Sequence, residues 1–515
     1  MEKHSKSPKS ESASSPLFQR SVQGGFWILT GRISQQLLAL TRLMVLANLL
    51  TPREYGLAGV GLLTLAILNR FTVTGFQAAL IQKKARIEPY LDSAWTVGIL
   101  RGLILYAILY IIAPYAAVFF DRGEVADISR IGEITNIIRI MGISIVICAF
   151  NNIGTVYFTK ELDFKKQFLY QMSGVITDVG VSITLAVLYR NVWALVYGKL
   201  SGEIVRTIFG YILHNYRPKL SLVGEKVKEL WVFGKWIFSA ATLNFLINEG
   251  DDIIVGRMLG IHWLGHYRMA YKWSNMPATE ITNTLGRITF PVYSKLQDDL
   301  PRFRRAFLKN IHLTAFISFP IAGLIFVLAA EFTEIFLSCR WLPMVPAMQI
   351  LALWGLIRSM GGAISTVFNG LGRPEINTRL LIIKLILLAV LIYPLTARWG
   401  IVGTSLAVVL NPVVVFPLAV YMARKMLGFE ILDLVKVLIL PFLGVLIMIH
   451  IILQLKGLIY CCFSPDLFFW GRMIYFFGAI LLGMVFYVGM GYIWDRVFDY
   501  KIMPKIRELW VTLRK

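Results

Sequence analysis

Apolar stretches long enough to cross a membrane recur along this chain, and they constrain its fold more than any other feature. About fourteen stretches of about 20 residues can be placed in the sequence. A soluble domain carries more charge and lacks such runs, whereas here 57% of the residues are hydrophobic and 16% are charged. A transmembrane barrel would show short alternating strands instead. The sequence therefore predicts an all-α polytopic membrane protein.

The predicted spans form two groups of six, followed by a final pair. They lie near 22–48, 55–80, 93–118, 132–156, 168–188, 191–212, 232–258, 265–290, 311–335, 345–370, 376–396, 399–422, 434–455 and 469–494. The predicted domains are a disordered cytoplasmic tail (1–20), a six-helix lobe (21–212), an amphipathic cytoplasmic linker (213–230), a second six-helix lobe (231–425), an additional helix pair (426–494) and a basic cytoplasmic tail (495–515). Two six-helix lobes are typical of transporters built from repeated bundles.

The basic residues between the spans predict the orientation of the chain. With the N-terminus in the cytoplasm, about 29 Lys and Arg residues fall in inner segments and about 7 in outer ones. This asymmetry satisfies the positive-inside rule and places both termini in the cytoplasm. It also accounts for much of the net charge of +22, so no nucleic-acid partner is expected. The linker and a second basic segment (295–309) are both predicted to lie on the cytoplasmic lipid surface.

Several spans carry basic residues well inside their apolar runs. The clearest are Arg32, Arg70, Arg101, Arg139, Arg206, Arg268 and Lys272. A charge within a bilayer costs a few kcal/mol, so such residues normally face a bundle interior or a wet cavity. The spans hold about sixteen cations but only about six acids, so internal pairing cannot neutralise them all. The pattern predicts a cationic cavity that handles an anion, and the predicted substrate-binding residues are Arg32, Arg70, Arg101, Arg139, Arg268 and Lys272.

Helical spacing gathers polar residues into stripes beside these cations. The predicted polar lining of the cavity is Gln35 and Gln36 in the first span, Gln77 in the second, and Asn275 and Asn283 in the eighth. Arg32 and Arg268 lie on the best stripes. Polar stripes can also be contacts between packed helices, and for Asn and Thr alone that reading is favoured. Repeated unpaired Arg and Lys favour the cavity.

Acidic residues within the spans have two different interpretations. Lys199, Glu203 and Arg206 follow i, i+4, i+7 spacing in the sixth span, which predicts that they largely neutralise each other. Asp251 and Asp252 in the seventh span are candidates for coupling or gating. Asp251 could bind a proton or cation, or it could be the salt-bridge partner of a cavity arginine, and the sequence leaves both readings open.

Four segments carry a resemblance to a known family. They are LLTPREYG (49–56), GFQAALIQKK (75–84), FNNIGTVYFTKELDF (150–164) and DDIIVGRMLGIHWLGHYRMAY (251–271). Their order and spacing resemble the polysaccharide transporters of the multidrug/oligosaccharidyl-lipid/polysaccharide exporter superfamily. The similarity covers most of residues 20–425.

The resemblance implies a Wzx-type flippase with fourteen spans in a bacterial inner membrane. Such proteins carry undecaprenyl-pyrophosphate-linked oligosaccharide from the cytoplasmic to the periplasmic leaflet, through two lobes that form a V opening alternately to each side. The implied partners are the lipid-linked glycan, membrane lipids, and the polysaccharide polymerase and export machinery. No cofactor is expected, and coupling to protons or sodium is left open.

Three alternative functions remain. A drug or small-molecule antiporter of the same superfamily is disfavoured because cationic substrates call for acids. A flippase for peptidoglycan lipid precursors is harder to separate, since its cavity is also cationic. A membrane enzyme, either a glycan polymerase or a glycosyltransferase, is disfavoured by the short outer loops and by the lack of a P-loop, a GxSxG motif or a metal-ligand grouping. The sequence therefore predicts a transporter rather than an enzyme.

Overall fold

Helices account for all the regular structure in the described part of the chain, which confirms the predicted fold class. The computed structural model describes residues 16–70, 76, 80, 87–121, 128–161, 163–225, 245–462 and 469–498. Eight of the described helical segments are long and apolar enough to cross a membrane. The helices that carry the predicted polar stripes, near the first and eighth spans, are not among these eight.

The helices follow the predicted spans closely. They are α1 (Pro16–Leu49), α2 (Pro52–Arg70), α3 (Glu88–Phe120), α4 (Ile128–Ala149), the short α5 (Val156–Lys160), α6 (Phe164–Tyr189), α7 (Trp193–Leu213), α8 (described over 245–259), α9 (Ile261–Lys295), α10 (Leu300–Phe332), α11 (Val345–Gly370), α12 (Pro374–Leu427), α13 (Ile431–Cys462) and α14 (Phe469–Phe498). Each predicted span overlaps one of these helices. Two spans fall within α12.

A sharp turn at Gly400 divides α12 into two helices, which match the two spans predicted there. Gly400 has φ 58° and ψ −139°, a backbone conformation that glycine adopts more readily than residues with a side chain. The two helices pack closely beyond the turn: a Cβ on Gly403 would lie 1.9 Å from the carbonyl oxygen of Leu395. The hydroxyls of Thr396 and Thr404 are 2.8 Å apart across the same turn and satisfy each other.

The described residues form two compact units. The first draws on the ranges Met1–Leu50, Thr64–Ala117 and Ile128–Thr242, and the second on Thr51–Leu63, Val118–Asp127 and Leu243–Lys515. In the first unit α6 packs against α7 and α1, and α4 packs against α7. In the second unit α9, α10, α11 and α12 pack together, and α13 and α14 pack against α10.

Two ion pairs and an apolar cluster attach the final helix pair to α10. Lys456 of α13 lies 2.5 Å from Glu331, and Arg472 of α14 lies 3.3 Å from Glu334, just beyond the end of α10. Buried side chains from all three helices, including Phe316 and Met448, form one hydrophobic cluster. The pair is therefore an integral part of the second unit.

Residues 214–223, here called the strap, run along α3 without forming a helix. Asp92 Oδ1 of α3 accepts hydrogen bonds from the Tyr216 hydroxyl (2.7 Å) and the Lys219 amide (2.8 Å), and Thr96 Oγ1 accepts one from the Ser221 amide (2.9 Å). Burial lowers the pKa of His214 below its usual value, which favours a neutral ring whose Nδ1 accepts from the Tyr216 amide at 3.0 Å. The described part of the predicted linker is thus hydrogen-bonded to the first unit.

The second basic segment (295–309) is largely helical and continuous with the ninth span, and its place on the lipid surface stays a prediction. Helix α10 already begins at Leu300. The Asp299 side chain accepts a hydrogen bond from the Arg302 amide at 3.1 Å, and Pro301 stands in the first turn. Both features are typical of a helix start, and they begin this helix ahead of its apolar run.

Candidate functional site

The best-formed polar cluster of the second unit lies between α8 and α9. Arg268 Nη1 is 2.8 Å from Asp252 Oδ2, and the Tyr267 hydroxyl donates to Asp251 Oδ2 at 2.6 Å. Asp251, Asp252 and Tyr267 are buried, while the Arg268 side chain keeps 29% of its surface exposed. The cluster therefore contains one partly exposed arginine side chain that is paired with a buried carboxylate.

The turn between the two helices sets this pairing. Gly260, with φ 88° and ψ 175°, separates α8 from α9, so two consecutive acids of one helix meet two consecutive residues of the next. Space for the arginine comes from α2, where a Cβ on Gly59 would lie 3.0 Å from Arg268 Cδ. Asp252, rather than Asp251, is thus the partner of the arginine, and Asp251 bonds to Tyr267 instead.

Two further basic residues of the second unit, Arg358 and Lys384, belong to the same helical bundle, and they are not among the site residues predicted from the sequence. Tyr271 contacts Trp354, with ring centroids 5.3 Å apart, and the Arg358 guanidinium lies 4.9 Å from the centroid of the Trp354 ring. Arg358 is close enough to Lys384 of α12 for their charges to repel each other. Neither cation has an acidic partner within the described residues. Both are basic residues inside predicted spans, so the criterion applied to Arg268 would have found them.

The other predicted residues of α9 lie in different surroundings. Lys272 is exposed, whereas Asn275 is buried and its Oδ1 has no hydrogen-bond partner among the described residues. The Asn283 side chain lies outside the described residues. Of the site residues predicted in α9, Asn283 is thus the one whose side chain is not described.

In the first unit, α1 carries the half-buried Arg32 close to the side-chain amides of Gln35 and Gln36. Arg32 makes no ion pair or hydrogen bond with any described residue. Gln35 donates through Nε2 to Gln171 Oε1 of α6 at 3.0 Å, and Gln36 is half-buried. The arginine is thus held near packed polar side chains without being neutralised by them.

Arg101 and Arg139 contact neutral groups of neighbouring helices. Arg101 lies 3.3 Å from the carbonyl oxygen and 3.4 Å from the side-chain oxygen of Asn69, the residue before Arg70. Arg139 donates to the Tyr110 carbonyl at 3.3 Å and sits 3.9 Å from the centroid of its ring. The side chains of Arg70 and Gln77 lie outside the described residues.

Other cations of the first unit are neutralised by acids. Glu203 pairs with Lys199 at 2.6 Å and also with Arg206, which confirms the predicted mutual neutralisation. Arg42 of α1 lies 3.0 Å from Asp178 of α6 and donates to Ser182 at 3.0 Å. These groups connect packed helices. Within the described part of the chain, no three His, Cys, Asp or Glu side chains lie together as a metal ion would require.

Comparisons with known proteins agree with this picture of a polytopic helical protein. Over 429 residues the chain is 24% identical to the lipopolysaccharide biosynthesis protein WzxC of Escherichia coli, covering 83% of this chain and 85% of that protein. It is 23% identical over 358 residues to the teichuronic acid biosynthesis protein TuaB of Bacillus subtilis, covering 69% and 72% of the two chains. Its fold is similar to that of the lipid II flippase MurJ, with a TM-score of 0.72 and 16% identity over 93% of this chain and all of that one.

The family match rests on a long continuous region. Residues 45–346 match the model of a family described as polysaccharide biosynthesis protein, and this region includes the Arg268–Asp252 pair. The resemblance predicted from four short segments is therefore confirmed. The chain belongs to the polysaccharide biosynthesis protein family.

Proposed function

We propose that this protein is a flippase for a lipid-linked oligosaccharide. It moves undecaprenyl-pyrophosphate-linked glycan from the cytoplasmic to the periplasmic leaflet of a bacterial inner membrane. Transport occurs by alternating access, in which the cationic cavity opens first to one side of the membrane and then to the other. Both termini lie in the cytoplasm, and the glycan serves a cell-surface polysaccharide. The protein performs transport and no covalent chemistry.

The observation that carries this proposal is the excess of cations without acidic partners. Arg32, Arg358 and Lys384 stand in helices of a membrane protein and have no acidic partner within the described residues. A cation in such surroundings costs several kcal/mol unless water or an anion offsets it. A passing pyrophosphate supplies the missing negative charge, and arginine suits bidentate contacts to phosphate.

The rest of the site fits the remainder of such a substrate. Sugar hydroxyls need hydrogen-bonding partners while the headgroup is away from water, because unsatisfied polar groups are costly in hydrocarbon. The amides near Arg32 and the polar residues of α9 can supply them. The polyprenyl tail needs no such site and can stay in the lipid.

The two acidic residues beside Arg268 and Tyr267 are the candidates for ion coupling or gating. Asp252 holds the guanidinium of Arg268, and Asp251 holds Tyr267. We propose that loading or release of substrate phosphate competes with the Arg268–Asp252 pair and so changes the contact between α8 and α9. Protons or sodium could bias the same step, but a potential negative inside already favours outward movement of a dianion by about 2.3 kcal/mol per charge per 100 mV.

A cellular export assay tests this function. In a strain without its own copy of the protein, wild type is expected to restore surface glycan, and Arg268→Ala is expected to abolish export when the two proteins are compared at matched abundance in the membrane. Arg302→Gln is the matched control, because Arg302 is an exposed arginine that pairs with Asp299 away from the site. Normal export by Arg268→Ala at normal abundance would refute the assignment.

The same strains separate the alternative substrates. A peptidoglycan precursor flippase would restore growth of cells depleted of their own precursor flippase. A drug antiporter would lower susceptibility to cationic compounds and leave the surface glycan unchanged. We expect neither effect, because the cations described above favour a phosphate-bearing glycan.

A further inference from the structure

A cavity outside the proposed transport site lies where three helices of the second unit end. It has a volume of about 660 Å³ and is bordered by the start of α10, the end of α12 and the start of α13. All three helices belong to segments long and apolar enough to cross a membrane. Such helix ends lie at the depth of the lipid headgroups.

The charges around this cavity leave two cations available. Arg304 is already engaged: its Nη2 is 2.5 Å from Asp433 Oδ2, and its Nη1 donates to the Gly428 carbonyl at 2.9 Å. Within the part of the chain that the structure describes, Arg305 hydrogen-bonds only to the Pro301 carbonyl, at 3.4 Å from Nε, which leaves its two terminal nitrogens available. Lys436 is exposed and has no partner within the described residues. The Arg304–Asp433 pair therefore lines the cavity together with two accessible cations, Arg305 and Lys436.

The remainder of the lining is apolar. Leu300, Leu308 and Val437 contribute side chains to the same cavity. A site for a soluble anion needs no such surface. A phospholipid, in contrast, presents a phosphate diester directly above its glycerol and acyl chains. Cationic pockets between membrane helices recognise acidic lipid headgroups in this way.

We propose that this cavity binds the headgroup of an anionic phospholipid, in addition to the transport function proposed above. Arg305 and Lys436 bind the phosphate, while Leu308 and Val437 contact the start of the acyl chains. The bound lipid joins the end of α12 to the starts of α10 and α13. It is a resident lipid of the second unit and does not travel through the transport site.

Native mass spectrometry of the purified, delipidated full chain tests the proposal with phosphatidylglycerol and phosphatidylcholine as probes. We expect wild type to prefer phosphatidylglycerol. Arg305→Gln/Lys436→Gln should weaken that binding by about tenfold or more, since each basic residue near an anionic lipid contributes about a factor of five. Both side chains are exposed, so these variants are expected to fold normally.

Two further variants and one competitor decide between the alternatives. Arg302→Gln/Arg424→Gln removes the same charge from exposed residues that do not line the cavity, and it should change binding less than twofold. Arg305→Lys/Lys436→Arg keeps the charge and should retain binding. The proposal would be overturned if Arg305→Gln/Lys436→Gln and Arg302→Gln/Arg424→Gln lost the same amount of phosphatidylglycerol binding. Equal affinity of wild type for both lipids would overturn it as well. Displacement of the lipid by millimolar inorganic phosphate would indicate a site for a soluble anion instead.

Discussion

At the scale of single residues, the basic side chains of this protein fall into two classes. Arg42 pairs with Asp178 of a packed neighbouring helix, and Arg206 pairs with Glu203 three residues earlier in its own helix. Arg32, Arg358 and Lys384 have no such partner in the described residues. The Arg268 guanidinium stands between these classes, since it is paired yet accessible. The two classes predict different consequences of substitution.

Replacing Arg268 tests whether it binds substrate or only stabilises the fold. Arg268→Gln leaves the Asp252 carboxylate buried without its partner, which we expect to lower stability by about 3 kcal/mol. Arg268→Gln/Asp252→Asn removes both charges and should recover thermal stability and membrane abundance. Export should remain absent in the double variant, because the substrate contact is still lost. Recovery of export together with stability would show that the pair is merely structural.

Arg32 and Arg42 form a matched comparison within one helix. Arg32→Gln should lower transport by about tenfold or more without loss of stability, because it removes a charge that no acid balances. Arg42→Gln should mainly lower stability, by about 1 kcal/mol, since it breaks the partly exposed contact with Asp178. Thermal unfolding in detergent and export at matched abundance measure the two effects. The reverse pattern would contradict the classification of these two arginines.

At the scale of elements, the strap is a non-helical segment that contacts within the first unit keep in place. Its backbone is bonded to side chains of α3, and the His214 ring stacks on Tyr157 at 5.3 Å between centroids. Gly154 leaves room for that ring, because a Cβ there would lie 2.5 Å from His214 Nδ1.

Gly154→Ala should loosen the strap. The added methyl group displaces His214, so amide hydrogen exchange in residues 214–223 should become about tenfold faster. Gly180→Ala in α6 is the control, since a Cβ at Gly180 meets nothing within 4 Å. Unchanged exchange in the strap of Gly154→Ala would mean that His214 does not hold this segment.

The elements also show which features a sequence can predict. Spans were placed within a few residues because hydropathy is a local property, and even the division of α12 at Gly400 was anticipated. The choice of Asp252 over Asp251 as the partner of Arg268 depends on the register between α8 and α9, which no local pattern encodes. Arg358 and Lys384 are basic residues inside predicted spans and could have been predicted from the sequence, but their proximity to each other depends on the packing of α11 against α12. The start of α10 at Leu300 lies ahead of the predicted span, because the Asp299 cap and Pro301 begin the helix before its apolar run.

At the scale of the whole molecule, the chain belongs to the polysaccharide biosynthesis protein family, has a fold similar to that of MurJ, and carries cations in each of its two units. The first unit contributes Arg32, Arg101 and Arg139, and the second contributes Arg268, Arg358 and Lys384. An anion that crosses such a protein carries its charge through the membrane field. The rate of transport should therefore respond to the potential.

We expect a potential negative inside to accelerate outward movement of the lipid-linked glycan, in proportion to a work of about 2.3 kcal/mol per charge per 100 mV. Potassium diffusion potentials in vesicles, without proton or sodium gradients, measure this response. Transport that ignores the potential but requires a proton or sodium gradient would show that a coupling ion drives the step, with Asp251 as the first residue to substitute.

The central claim is that cationic residues carry an anionic lipid-linked glycan between leaflets, and leaflet translocation in proteoliposomes tests it most directly. Undecaprenyl-pyrophosphate-linked oligosaccharide would be placed in one leaflet and its arrival in the other followed for wild type, Arg32→Gln and Arg268→Gln/Asp252→Asn. The account predicts translocation by wild type and its loss in both variants, each reconstituted to the same density. Absence of translocation by wild type with a potential or an ion gradient applied would contradict it, as would translocation by both variants at the wild-type rate.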